Sequence, residues 1–128
     1  MDVTPEKSGQ RIGILLRANG MDDRIYVGVG DAEDQWFAEY WGSDGSNSWS
    51  SMYSGPTASA GKKLHLKAEI VDTTVSLWVD GKLVFNKLNM GGMPTKAGFV
   101  GLNTRNANSF SNCFCCTFCT LETNCSTF

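Results

Sequence analysis

The stretch that decides the fold is KLHLKAEIVDTTVSLWVDGKLVF, Lys63 to Phe85. Leu64, Leu66, Ala68 and Ile70 alternate with His65, Lys67 and Glu69, the period of a half-buried strand. Val75, Leu77 and Val79 repeat the pattern. A two-residue turn at Thr73 and Thr74 is expected to set Ile70 opposite Leu77 and Glu69 opposite Trp78, which gathers the aliphatic residues on one face. Asp80-Gly81 marks a second tight turn, since both residues tolerate positive φ, and is expected to pair Leu77 with Val84. The result is a meander of at least three strands. Trp78 falls on its polar face, where an indole beside a carboxylate and a lysine matches the C–H face and hydroxyl rim of a sugar. Covering one indole face removes on the order of 100 Å² of apolar surface, about 2.5 kcal/mol before binding entropy. The competing expectation is that a loop or a second domain covers it.

Working outward, RIGILLR (Arg11 to Arg17) reads as a strand with Ile12, Ile14 and Leu16 on one face and Leu15 and Arg17 on the other. Ile25, Val27 and Val29 form the next, with Tyr26 on the opposite face, and QWFAEYW (Gln35 to Trp41) a third. Gly42 to Gly61 reads as a long loop carrying Trp49, Tyr53 and Pro56, and Ala97 to Asn103 as a further strand. With no helical period, the fold expected is an all-β antiparallel sandwich. Its domain runs from 11 to 110, after an N-terminal extension (1 to 10) and before a cysteine-rich tail (111 to 128).

The chain has 128 residues and a net charge of -2, from 11 Lys and Arg against 13 Asp and Glu. That length fits one domain with its own core. No basic run suits a phosphate backbone, which argues against nucleic acid, and no apolar segment reaches the roughly 20 residues of a membrane span. Cys113, Cys115, Cys116, Cys119 and Cys125 all lie in the tail. Their spacing differs from paired CxxC knuckles, leaving a thiolate metal site, disulfides with one thiol over, or no role.

The order of these pieces resembles the concanavalin A-like lectin/glucanase superfamily, including laminin-G-like and glycoside-hydrolase-associated jelly-roll modules. Three segments carry the likeness: IGILLR with Tyr26, the Leu64 to Phe85 hairpins with their W-V-D-G-K turn, and AGFVGL (Ala97 to Leu102). The resemblance implies a non-catalytic carbohydrate-binding module, part of a larger secreted or cell-surface glycan-active protein. Trp78 would stack on a sugar ring, with Arg17, Tyr26 and Glu69 adding hydrogen bonds and Trp36, Tyr40, Trp41 or Trp49 extending the platform. Loop aromatics Trp49 and Tyr53 would act as lids, or else plug the open end of the sandwich. Members usually have a strand before the IGILLR-like segment and a closing one after AGFVGL. The chain therefore reads as an incomplete sandwich, open at its N-terminal edge, where a second copy could pair to give a homodimer.

Catalysis is not expected. Catalytic members carry E-x-D-x-x-E, with acid and nucleophile about 5 Å apart on one strand face, and no such run occurs. His65, the lone histidine, lies on a polar face without a partnered nucleophile. Modules of this kind often bind calcium. Asp22 and Asp23 with Asn19, or Asp31 with Asp34, offer oxygen ligands, although acidic surface turns have the same composition. The alternative function is a structural or interaction sandwich with no glycan ligand.

Overall fold

The computed structural model describes residues 1–19, 23–42, 48–93, 98–106, 109–115 and 126–127. The strands are β1 (Asp2–Val3), β2 (Arg11–Ala18), β3 (Arg24–Val29), β4 (Gln35–Trp41), β5 (Trp49–Ser54), β6 (Leu64–Val71), β7 (Thr74–Val79), β8 (Lys82–Asn89), β9 (Phe99–Asn106), β10 (Ser109–Cys115) and β11 (Ser126–Thr127). They form two antiparallel sheets, ordered β1-β6-β7-β8 and β11-β10-β9-β2-β3-β4-β5. The chain is an all-β sandwich.

The inner layer follows the alternation. Leu64, Leu66, Val75, Leu77, Val79 and Phe85 of the smaller sheet meet Ile12, Ile14, Leu16, Ile25, Val27, Val29 and Trp36 of the larger in one buried cluster. Each such aliphatic or aromatic side chain contributes roughly 1.5–3 kcal/mol by leaving water. Trp78 is excluded from this layer and stands half-buried on the outer face of the smaller sheet.

Both hairpins differ from expectation in register. The β6–β7 turn falls on Asp72 and Thr73, so Ala68 faces Leu77, Ile70 faces Val75 and Trp78 faces Lys67 instead of Glu69. Asp72 supplies the turn's positive φ of 50°, which a carboxylate residue tolerates better than the β-branched Thr74. Because the displacement is two residues, every side chain keeps its face. The Asp80-Gly81 turn forms as expected, with φ of 49° and 77°, and pairs Val79 with Lys82. An irregularity between Leu77 and Trp78 then sets Leu77 against Phe85 and not Val84.

Three segments are more ordered than their composition suggests. Residues 1–10 are not a bare extension: β1 pairs with β6, and Val3 enters the core. Gly42 to Gly61 is not wholly loop, because Trp49, Ser51 and Tyr53 face inward in alternation with Ser50, Met52 and Ser54, making β5 the last strand of the larger sheet. The closing strand missing from the sequence pattern is β10, drawn from the cysteine-rich tail and paired along its length with β9. The expected open edge at IGILLR is also filled, since β2 lies between β9 and β3. That leaves no free backbone at β2 for a second copy.

Gly13 and Gly28 face each other on β2 and β3. A Cβ on Gly13 would lie 2.2 Å from the Val27 carbonyl oxygen, and one on Gly28 equally close to that of Ile12. Gly13→Ala should therefore force the strands apart and destabilise the fold by at least about 1–3 kcal/mol in chemical denaturation. An unchanged midpoint would show that the strands separate freely.

The first strand is held by charge. The Asp2 carboxylate meets Lys63 Nζ at 2.6 Å and His65 Nδ1 at 2.7 Å. The Lys63 hydrogen bond, and then that of His65, lower the Asp2 pKa from 3.8 to about 2. A carboxyl that ionises more readily when folded stabilises the fold at neutral pH, and that contribution drains as pH falls from about 4 through about 2. An NMR titration should place the Asp2 midpoint near 2, and Lys63→Ala should return it toward 3.8.

Candidate functional site on the larger sheet

Outward-facing residues of the larger sheet form a second buried cluster, Leu15, Ala18, Tyr26 and Phe37. A buried patch on the outside of a sandwich needs a cover, and Arg11 supplies part of it. Its guanidinium carbon lies 4.0 Å from the Phe37 ring centroid and 6.0 Å from that of Tyr26. Arg11 stands on β2 and Phe37 on β4, so the side chain crosses β3, where Gly28 has no side chain to obstruct it. The close glycine pair thus opens the path on which the patch depends.

At its far end Arg11 donates to Glu39 Oε1, with 13% and 10% of the two side chains exposed. Glu39 also accepts from Trp41 Nε1 at 3.3 Å and from Ser50 Oγ at 3.5 Å. Beyond it Trp41 projects with 47% of its surface exposed, and the Arg24 guanidinium approaches to 5.9 Å from its ring centroid. The sequence of contacts is a buried cation, a carboxylate held on several sides, and a protruding indole whose edge is anchored to that carboxylate. An indole fixed in this way loses little rotamer freedom when a ligand stacks on it.

A cleft of about 390 Å³ opens nearby between the sheets, lined by Tyr40, Ser48, Trp49, Asn89, Met90 and Gly91. Tyr40 pairs with Trp49 across the ladder, so Trp41 and this cleft belong to the same end of the sandwich. Tyr40 and Trp49 are thereby brought together on the inner face, while Trp41, one residue on, projects from the outer face of the same end.

The other residues singled out in the sequence are dispersed. Trp36 is fully buried and donates its indole N–H to the Pro56 carbonyl at 2.9 Å, so it cannot extend a platform. Tyr26 is outward-facing as expected, but on the larger sheet, and its ring packs edge-on against Phe37 at 4.6 Å. The full thickness of the sandwich separates it from Trp78. Arg17 does not share a face with Leu15 either. A bulge after Leu15 gives Arg17 a φ of 48° and sends its guanidinium across to the Asp72 carbonyl of the smaller sheet. Glu69 and Trp78 remain outward on the smaller sheet, where Lys67 Nζ lies 4.7 Å from the Trp78 ring centroid. Of the proposed lids, Tyr53 packs its ring 4.8 Å from that of Phe85 and so plugs the core. Trp41 ends β4.

The calcium candidates divide between described and undescribed residues. Asp22 lies outside the described residues, while the Asp23 carbonyl accepts from the Asn19 amide and closes the β2–β3 hairpin. Asp31 Oδ1 lies 4.0 Å from Arg11 Nε, and the Asp34 carbonyl accepts from the Gly55 amide. Among the described residues no three His, Cys, Asp or Glu side chains converge as a metal site. Cys113 and Cys115 lie on β10, and the other cysteines fall outside the described residues. Comparisons with protein-family models, with curated proteins and with solved structures found no match.

Sequence reasoning missed Arg11, Arg24, Glu39 and Ser50. The signal for Glu39 was present, since QWFAEYW puts a carboxylate between Phe37 and Trp41 on one strand face, where it needs a cation. Arg11→Ala should remove both the pairing and the cover of Phe37 and cost about 3 kcal/mol, whereas replacing Arg11 and Glu39 together with Met and Leu should recover much of the loss. Denaturant midpoints of the single and double variants check this.

Proposed function

We propose that the chain is a non-catalytic carbohydrate-binding module of the concanavalin A-like, jelly-roll kind. The observation that carries this reading is the anchored, half-exposed Trp41 indole at the rim of the Arg11–Glu39 pair. Its apolar face would take the C–H face of a sugar ring, while the Ser50 hydroxyl oxygen, its one hydrogen directed at Glu39, would accept from a sugar hydroxyl. Glu39 serves as a positioning group: its oxygens are engaged by Arg11, Trp41 and Ser50, which suits it to hold an indole and not to deliver a proton to a glycosidic bond. Two all-antiparallel sheets with FVGL (Phe99 to Leu102) in β9 beside IGILLR in β2 support the resemblance. The module would belong to an extracellular or cell-surface glycan-active protein.

A docking sandwich without a sugar ligand has one observation in its favour, the exposure of Met52, at 44%, on the same outer face. A glycan array with Trp41→Ala separates the two readings. Sugar binding by the parent chain should weaken at least tenfold in the variant with its melting temperature unchanged, since the ring is at the surface. Absence of any glycan signal from the parent chain would defeat the proposal.

A further inference from the structure

The outer face of the smaller sheet carries a hollow of about 420 Å³, lined by Glu69, Val71, Asp72, Thr73, Thr74, Ser76 and Lys87. That volume lies within the roughly 300–1,000 Å³ of small-molecule sites. Its floor is built by a bulge. Val75 pairs with Leu88 and Leu77 with Phe85, so Ser76 alone opposes Asn86 and Lys87. The Lys87 amide, displaced from the ladder, donates to Ser76 Oγ at 2.8 Å, and that hydroxyl donates onward to Asn86 Oδ1 at 3.2 Å. Ser76 is 4% exposed and locks the bulge in place.

Backbone strain gathers here. Among the described residues four without a glycine's freedom have positive φ: Arg17 at 48°, Asp72 at 50°, Asp80 at 49° and Lys87 at 47°. Asp72 and Asp80 each supply a hairpin turn, while Lys87 sits in the bulge that floors the hollow, and Arg17, in a bulge of β2, donates to the Asp72 carbonyl at its rim. Such conformations each cost on the order of 1–3 kcal/mol and concentrate where a site requires them. The hollow also continues into an aromatic surface. Ser76 and Trp78 are two residues apart on β7, about 7 Å along the same face, with Glu69 and Lys67 as their respective partners on β6. Leu83, opposite Trp78 on β8, is 50% exposed.

From this juxtaposition we infer that the smaller sheet holds a second, independent site for a neutral polyhydroxylated ligand. Its indole takes one sugar ring and its hollow takes the hydroxyls of the next. Carboxylates and ammonium groups are interleaved there, which favours an uncharged ligand that donates and accepts over an anion or a cation. The inference rests on the carbohydrate reading above but uses the opposite side of the sandwich. It makes the module bivalent, able to bridge two glycan chains.

The test uses the full chain labelled with nitrogen-15 and titrated with neutral tetrasaccharides of glucose, mannose, galactose and N-acetylglucosamine. The expected result is two separate sets of shifted amides, one around the Trp41 indole and one around Trp78, Ser76 and Lys87. Glu69→Ala, an exposed substitution that leaves the core intact, should weaken the second set at least tenfold and spare the first, while Trp41→Ala should do the reverse. Trp78→Ala should match Glu69→Ala if it folds. Shifts around Trp41 alone would overturn the second site and leave the first. Shifts around Trp78 alone would overturn the first and leave the second. No shift with any sugar would overturn both.

Discussion

A two-sheet protein has one interior, and period-two alternation lets each strand offer only one of its faces to it. That parity constraint organises the whole molecule. Once Leu64, Leu66, Val75, Leu77 and Val79 are committed inward against Ile12, Ile14 and Val27, the outward positions are assigned without further choice. Glu39, Trp41 and Trp78 are outward because their neighbours are core. The two faces also carry different groups, a charged pair under an indole on one and a bulged hollow beside an indole on the other.

Parity explains how much was legible from residues alone. The strand pattern from Lys63 to Phe85 is readable despite a two-residue error in register, because an even displacement preserves every face. The same reading of IGILLR succeeds as far as Leu16 and fails at Arg17, where a bulge inserts an extra residue and breaks the count. Nothing in the residue types announces that bulge. Its trace is Gly98, where a Cβ would lie 2.5 Å from the Arg17 carbonyl carbon, a proximity invisible before the strands are paired. In β5 the pattern was present in WSSMYS but was masked by the serines and glycines around it.

The candidate site was less legible than the fold, for a physical reason. Outwardness is a one-strand property, but sharing a face with another residue depends on which sheet each strand joins. Trp78 and Tyr26 are both outward, yet β7 and β3 belong to different sheets, so they look in opposite directions. Arg11 and Glu39 are 28 residues apart and joined only because β3 brings β2 and β4 to either side of a glycine. Long-range pairing of this kind is set by topology.

The bulge in β8 has a meaning beyond the hollow it floors. β8 is the last strand of its sheet, and a flat last strand would present a continuous row of amides and carbonyls able to template another chain. Here the row is interrupted at Lys87, whose amide is already spent on Ser76, and flanked by the ammonium groups of Lys82 and Lys87. A second molecule approaching that rim would meet like charge and an irregular ladder, so the same kink that floors the hollow also makes β8 a poor template for another copy.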